Sequence, residues 1–394
     1  MMNQSILKRT DSVIESQIAN GELVGASLLV IKDGENVYRN NYGMANKEKN
    51  IPVKNDTIFR CFSMTKPITS VAAMILYERG KLNLSDPVWW FLPGFKNQKV
   101  LTAGGLVDAK RDITIQDLLD MTAGLVYPDA SFPAGEKMQI LYDDVAKKLE
   151  DGCPTSTVDL CNLIGKQPLE FQPGEGWRYS VCADVVGAII EIISGKKFSE
   201  FLKDEIFTPL GMTDTAFYVP EEKLERFMEY YEYMNDTQTM EPCTWQFLGL
   251  SYMWKQAPAF ESGGAGLVST VDDYAKFAQM MCNGGTLNGV RILGKKTIDY
   301  MTQNHLTPKQ LEMFDWDTLY GYGYGSLMRV MVDTGAAGSN GSVGEYGWDG
   351  WLGNYFFIDP KEKLIMIYII QKCGGNGYRN IQTLRNIVYA AIED

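Results

Sequence analysis

The sequence predicts an α/β (α+β) fold: one antiparallel sheet built from both chain ends and flanked by helices, with a mostly helical domain inserted between them. Three observations carry this. Near the start, residues 26–32 and 35–42 flank Asp33-Gly34, a pair that tolerates positive φ and so closes a two-residue hairpin. Near the end, residues 355–359 and 364–371 are strand-like and flank the turn Pro360-Lys361-Glu362. Between these ends the clearest apolar spacing is helical.

The elements follow in order. A short amphipathic helix is expected over 6–18, ahead of the hairpin. Residues 70–78 form an apolar helix stopped by Gly80. The middle holds helical segments at 118–119, 185–193 and 271–281. Tyr320-Gly321-Tyr322-Gly323-Tyr324 then alternates with period two, the strand signature. A helix over 381–392 closes the chain. The sheet domain is thus expected in 1–82 and 284–394 and the inserted domain in 83–283, with the active site at their interface.

Composition narrows the function. A chain of 394 residues with 45% hydrophobic and 22% charged residues can bury a large core and is not disordered. A net charge of −12 argues against nucleic acid or an anionic membrane as partner. No apolar run reaches the roughly 18 residues of a membrane span, and the first 25 residues lack an apolar signal core, so a cytoplasmic protein is expected. Seven cysteines without a CxxC pair read as reduced thiols, and no Cys/His cluster suggests a metal. A single histidine, His305, means that a Ser-His-Asp triad must use that residue or not exist. Its polar setting, Asn304-His305-Leu306-Thr307-Pro308, reads as a surface or loop position.

Three separated stretches suggest a different serine chemistry: Ser63-Met64-Thr65-Lys66, Tyr179-Ser180-Val181 and Trp348-Asp349-Gly350. Residues three apart on a helix share a face, so Lys66 can reach the Ser63 hydroxyl. A desolvated lysine can lose its proton, or stay charged and lower a neighbour's pKa. The spacing alone is weak, since Ser5/Lys8 and Ser194/Lys197 repeat it. Ser63 differs in following an apolar strand-like run and opening an apolar helix, whose N-terminus favours an anion. One local conflict is that Lys66 precedes Pro67, which disfavours helical backbone. By itself the segment also fits a Ser63 helix cap, and Trp348-Asp349-Gly350 a tight turn.

Ser63-Met64-Thr65-Lys66-Pro67-Ile68-Thr69-Ser70 resembles the nucleophile helix of the class C β-lactamase-like serine hydrolases, a superfamily that includes penicillin-binding proteins and family VIII carboxylesterases. The likeness extends along most of the chain. Leu118-Leu119-Asp120-Met121-Thr122-Ala123-Gly124-Leu125 is similar to the family's LLxHTSGL, with Met121 in the histidine's place. Phe171-Gln172-Pro173-Gly174, Pro209-Leu210-Gly211-Met212 and Ser262-Gly263-Gly264-Ala265-Gly266-Leu267 match further family stretches. The resemblance implies a β-lactamase-like fold, with Ser63 as acylated nucleophile, Lys66 as its partner and Tyr179 as general base and acid. A nearby ammonium is expected to lower the Tyr179 pKa toward working pH. The implied oxyanion hole is the backbone N–H groups of Ser63 and Trp351.

Two departures bear on the substrate. Val181 stands where β-lactamases have an amide-bearing Asn, and Trp348 where they have the lysine of Lys-Thr-Gly. A tryptophan supplies apolar area and one N–H rather than a cation, and Asp349 adds negative charge, so an anionic β-lactam is disfavoured. Both stretches are closer to family VIII carboxylesterases, with Trp348, Asp349 and Gly350 at the substrate. Trp89, Trp90, Trp348 and Trp351 are candidates to line an acyl or alcohol pocket. The resulting expectation is a serine hydrolase acting on a small-molecule ester or amide with no cofactor. β-Lactamase or D-alanyl carboxypeptidase activity, or a catalytically silent scaffold on the same fold, are the alternatives.

Overall fold

The computed structural model describes residues 1–243, 254–314, 316–375 and 377–393. At its centre the first and last strands of the chain lie side by side. Strands β1 (Gly25–Lys32), β2 (Glu35–Asn46) and β3 (Ile51–Pro52) come from the N-terminal part. Strands β4 (Tyr322–Gly325), β5 (Met328–Met331), β6 (Tyr346–Asp349), β7 (Tyr355–Asp359) and β8 (Leu364–Ile370) come from the C-terminal part. The eight form one antiparallel sheet in the order β4-β5-β6-β7-β8-β1-β2-β3. Ala26 faces Ile370 and Lys32 faces Leu364, which ties the two ends together. The turn between β1 and β2 has φ 54° at Asp33 and 85° at Gly34, the left-handed pair that suits a two-residue hairpin.

Helices α1 (Arg9–Ala19), α2 (Thr65–Glu78), α3 (Cys182–Ser194), α4 (Val271–Cys282) and α5 (Tyr378–Ala390) pack around this sheet and one another. Alternate residues of a strand point to opposite faces. Leu28, Val30, Met366 and Tyr368 therefore meet Ile14 of α1 and Leu384 and Val388 of α5. Leu29, Ile31, Ile365 and Ile367 join the other core, with Val71 of α2 and Phe277 of α4. Because both faces are covered, all seven residues of β8 are buried, and its sequence is apolar throughout instead of alternating.

The structure departs from the sequence reading at several points. The first helix is split, with Gln4–Leu7 capped by the Asn3 side chain and α1 starting at Arg9. Helix α2 begins at Thr65, five residues before the expected start. That resolves the conflict at Lys66-Pro67, because Pro67 falls in the first turn, where amides have no helical carbonyl to lose. Strands β5 and β6 carry no period-two signal, being four residues long and buried almost throughout. The Trp348 stretch is thus the end of a strand, with Gly350 just beyond it, and not merely a turn. Among the described residues no helix is long and apolar enough to cross a membrane.

Candidate active site

Ser63 lies in a turn of 3₁₀ helix, Phe62–Met64, that runs into α2. Phe62 has φ 46°, a strained conformation for a bulky residue that persists only where its surroundings hold it. They do so through several hydrogen bonds. The Arg60 N–H donates to Gln371 Oε1 (2.9 Å), and the Arg60 carbonyl accepts from Asn354 Nδ2 (2.7 Å) and Gln371 Nε2 (3.2 Å). The Cys61 N–H donates to the Leu267 carbonyl at 2.9 Å, and Tyr274 donates its hydroxyl to the Met64 carbonyl at 2.9 Å. The buried Arg60 guanidinium lies 4.0 Å from the Phe227 ring centre and 4.3 Å from that of Tyr230.

Lys66 is fully buried, and its Nζ meets three oxygens: Ser63 Oγ and Tyr127 Oη, both at 3.1 Å, and the Gly264 carbonyl at 2.9 Å. An ammonium has three donors, so the charged form is satisfied. A neutral amine can keep donating to Gly264 and Tyr127 while its lone pair accepts the Ser63 hydroxyl proton. No carboxylate is among these three partners. Burial pushes the Lys66 pKa down to about 7, against the opposing pull of Asp184, Asp349 and Cys182.

Tyr179 behaves oppositely to the expectation of a lowered pKa. Burial drives its phenol well above the ordinary value, although hydrogen bonds with Ser63 and Trp348 work the other way. Lys66 Nζ sits over the face of the Tyr179 ring, 4.5 Å from its centre, and is not hydrogen-bonded to the hydroxyl. The Tyr179 hydroxyl accepts a hydrogen bond from Trp348 Nε1 at 3.2 Å, and the two rings are 5.4 Å apart. The labile proton near neutrality therefore belongs to Lys66, while Tyr179 stays a phenol.

Trp348 is buried and pairs with Tyr179, whereas Trp351 is 39% exposed, with its ring 6.0 Å from that of Phe62. Gly350 lets this strand end come close: a Cβ there would lie 2.6 Å from the Cys61 carbonyl oxygen. Asp349 has a half-exposed side chain, 3.9 Å from the buried Arg329 guanidinium. Val181 is fully buried. Of the other two tryptophan candidates, Trp89 donates to Asp112 at 2.9 Å and lies under Lys96, and Trp90 is exposed. Trp316, 39% exposed, instead lies edge-on to Tyr179 with ring centres 5.2 Å apart.

His305 is in a loop but is not a surface residue. Its side chain is buried, with Nδ1 2.8 Å from Asp120 Oδ1 and Nε2 2.9 Å from the Tyr300 carbonyl. Sequence reasoning missed Tyr127 and the inward face of Ser262-Gly263-Gly264. The glycine stretch stood out as family-like without a role, and Tyr127 follows the matched segment ending at Leu125 by two residues.

With this geometry in view, the chain matches the Beta-lactamase family model over residues 10–391. It is 30% identical to Esterase EstB of Burkholderia gladioli over 98% of this chain and 96% of the relative. It is 28% identical to the N-acetylmuramyl-L-alanine amidase of Bacillus subtilis over 93% of this chain and 81% of the relative. Among solved structures, EstCE1, described as a hydrolase with promiscuous acyltransferase activity, superposes with a TM-score of 0.82 at 27% identity, covering 98% of this chain and 99% of that one.

Proposed function

This chain belongs to the Beta-lactamase family and is a serine hydrolase, and we propose that it cleaves a carboxylic ester through an acyl-Ser63 intermediate. The observation that carries this is Lys66: fully buried, 3.1 Å from Ser63 Oγ and hydrogen-bonded to no carboxylate, a setting in which burial pushes its pKa down to about 7. Neutral Lys66 takes the Ser63 hydroxyl proton as Oγ bonds to the substrate carbonyl carbon. The negative oxygen that forms is held by the backbone N–H groups of Ser63 and Trp351. The ester C–O bond then breaks as Lys66, which faces the Ser63 oxygen at the reacting carbon, returns its proton to the departing alkoxide, with the Tyr179 hydroxyl donating a hydrogen bond to that oxygen. Trp348 Nε1 donates to the Tyr179 oxygen, so the phenol proton is free to point at the leaving group. Water repeats the sequence in reverse roles, releasing the acid and restoring Ser63.

We place this site where the 83–283 segment, which supplies Tyr127, Tyr179 and Gly264, meets the sheet portion that supplies Ser63, Lys66 and Trp348. Esters are favoured over β-lactams because Val181 and Trp348 offer no cation for a substrate carboxylate. Half-exposed Trp316 and Trp351 offer apolar walls for an acyl or alcohol group. The amidase relative makes an amide the second reading. The test is turnover of a short-chain p-nitrophenyl ester and a chromogenic cephalosporin, beside Ser63→Ala. Ser63-dependent ester cleavage with an acyl adduct by mass spectrometry supports the proposal. Fast cephalosporin hydrolysis, or ester turnover that survives in the variant, would sink it.

A further inference from the structure

Asp184 on α3 is fully buried, five residues after Tyr179, and touches neither Ser63 nor Lys66 in any hydrogen bond. A directional chain of hydrogen bonds nevertheless joins it to the lysine. Lys66 Nζ donates to the Gly264 carbonyl at 2.9 Å. That carbonyl shares its peptide group with the Ala265 N–H, which donates to Ser262 Oγ at 3.0 Å. The Ser262 hydroxyl donates to Asp184 Oδ1 at 2.6 Å, and the Gly264 N–H reaches the same oxygen at 2.9 Å. Every donor points away from Lys66 and toward Asp184. The other carboxylate oxygen, Oδ2, is buried without a hydrogen-bond partner.

We propose that Asp184 is a positioning residue for the reaction: through Ser262 and the 264–265 peptide it aims and polarises the Gly264 carbonyl at Lys66. Linked hydrogen bonds polarise one another, and in a dry site a carboxylate at one end strengthens the acceptor at the other. The glycines make the approach feasible. A Cβ at position 263 would lie 2.3 Å from the Ala183 carbonyl oxygen, and one at 264 would press on Asp184 and Tyr127 at 3.2 Å. Thr69 Oγ1 also donates to the Gly263 carbonyl at 2.7 Å, anchoring the loop to α2.

The charge has a second effect. Asp184 favours the ammonium form of Lys66, and so limits how far burial lowers its pKa. Tyr127, Tyr179, Cys182, Asp184 and Asp349 are the titratable groups facing Lys66. Lys66, Cys161, Tyr179 and Cys182 face Asp184. Of these, Asp184 alone is joined to the lysine by the chain just described.

The inference rests on Lys66 acting as base toward Ser63, so its test must not depend on turnover alone. The Lys66 titration is followed by NMR of ¹³Cε-labelled lysine, assigned with Lys66→Met, beside the pH profile of kcat/KM. Asp184→Asn keeps an oxygen for Ser262 and Gly264 but removes the charge. Its Lys66 midpoint and rising kinetic limb are expected to move together to lower pH by roughly half to one unit. Ser262→Ala, which cuts the chain with the carboxylate intact, is expected to shift the midpoint and to lower kcat more than it raises KM. It carries the test if Asp184→Asn does not fold. A midpoint unmoved in folded Ser262→Ala overturns the relay and leaves Asp184 a loop anchor that acts on Lys66 by its charge alone. A midpoint that moves in Ser262→Ala, where the Asp184 charge is kept, supports the relay, and if that protein lacks Ser63-dependent turnover it strikes the proposed reaction instead.

Discussion

Two buried cations in this molecule have opposite surroundings. Arg385, on α5, is 2% exposed and pairs with Glu345 Oε2 at 2.6 Å. Glu345 is fully buried and also accepts from the Tyr389 hydroxyl at 2.7 Å, which itself reaches Asp359 Oδ2 at 2.9 Å. Lys66 is fully buried as well, but its hydrogen-bond partners are a serine, a tyrosine and a carbonyl. A touching carboxylate compensates the lost hydration of a cation, whereas neutral acceptors compensate it only in part. The first arrangement locks α5 to the sheet. The second leaves a proton that comes and goes near pH 7. His305 falls between them, buried against Asp120 and the Tyr300 carbonyl.

The comparison breaks most severely at Lys66. Lys66→Met and Lys66→Arg are each expected to lower kcat/KM by about 10³- to 10⁴-fold while the protein stays folded. The arginine variant is the sharper of the two, because it keeps the charge but cannot release the proton. Activity retained in Lys66→Arg would show that charge, and not a labile proton, is what the site needs.

Next in size is the structural pair. Arg385→Met strands the Glu345 carboxylate in the core and is expected to cost about 3–5 kcal/mol in urea unfolding. The kcat of the folded fraction should change little. A milder response belongs to pH. Because Lys66 must be neutral to accept a proton and its pKa is about 7, kcat/KM should rise about tenfold per unit below that value and level off above it. A profile flat from pH 5 to 9 would remove Lys66 as the base.

The smallest effect concerns His305. Burial pulls its pKa down, but the Asp120 hydrogen bond and charge, aided by the Tyr300 carbonyl, raise it above the ordinary value. A raised folded pKa means that this stabilisation is fully present below the unfolded value of about 6.5 and is lost as pH rises through the folded one. His305→Gln should therefore cost about 1–2 kcal/mol at pH 6 and less at pH 9, read from thermal melts at both values.

Much of the fold is local and was legible. Asp33-Gly34 dictates its hairpin through positive φ, and the apolar runs at 185–193 and 364–371 match α3 and β8 closely. The contact between Ser63 and Lys66 was legible for a related reason, since a spacing of three across one helical turn is a short-range constraint. Strands β5 and β6 were not, because four buried residues carry no period and their pairing is decided across the sheet.

What the sequence alone determined is which chemical groups exist: a serine, a lysine and a tyrosine in a family-like order, one histidine, and a tryptophan where a cation would bind an anion. Their protonation was decided by tertiary structure. The tyrosine expected to be acidified is instead a persistent phenol, and of the two states left open for the lysine, burial favours the neutral amine by lowering its pKa to about 7. Desolvation is a property of everything that surrounds a group. Around Lys66 that means residues 61 and 198 positions away, Tyr127 and Gly264, the second of them bonded through its N–H to Asp184.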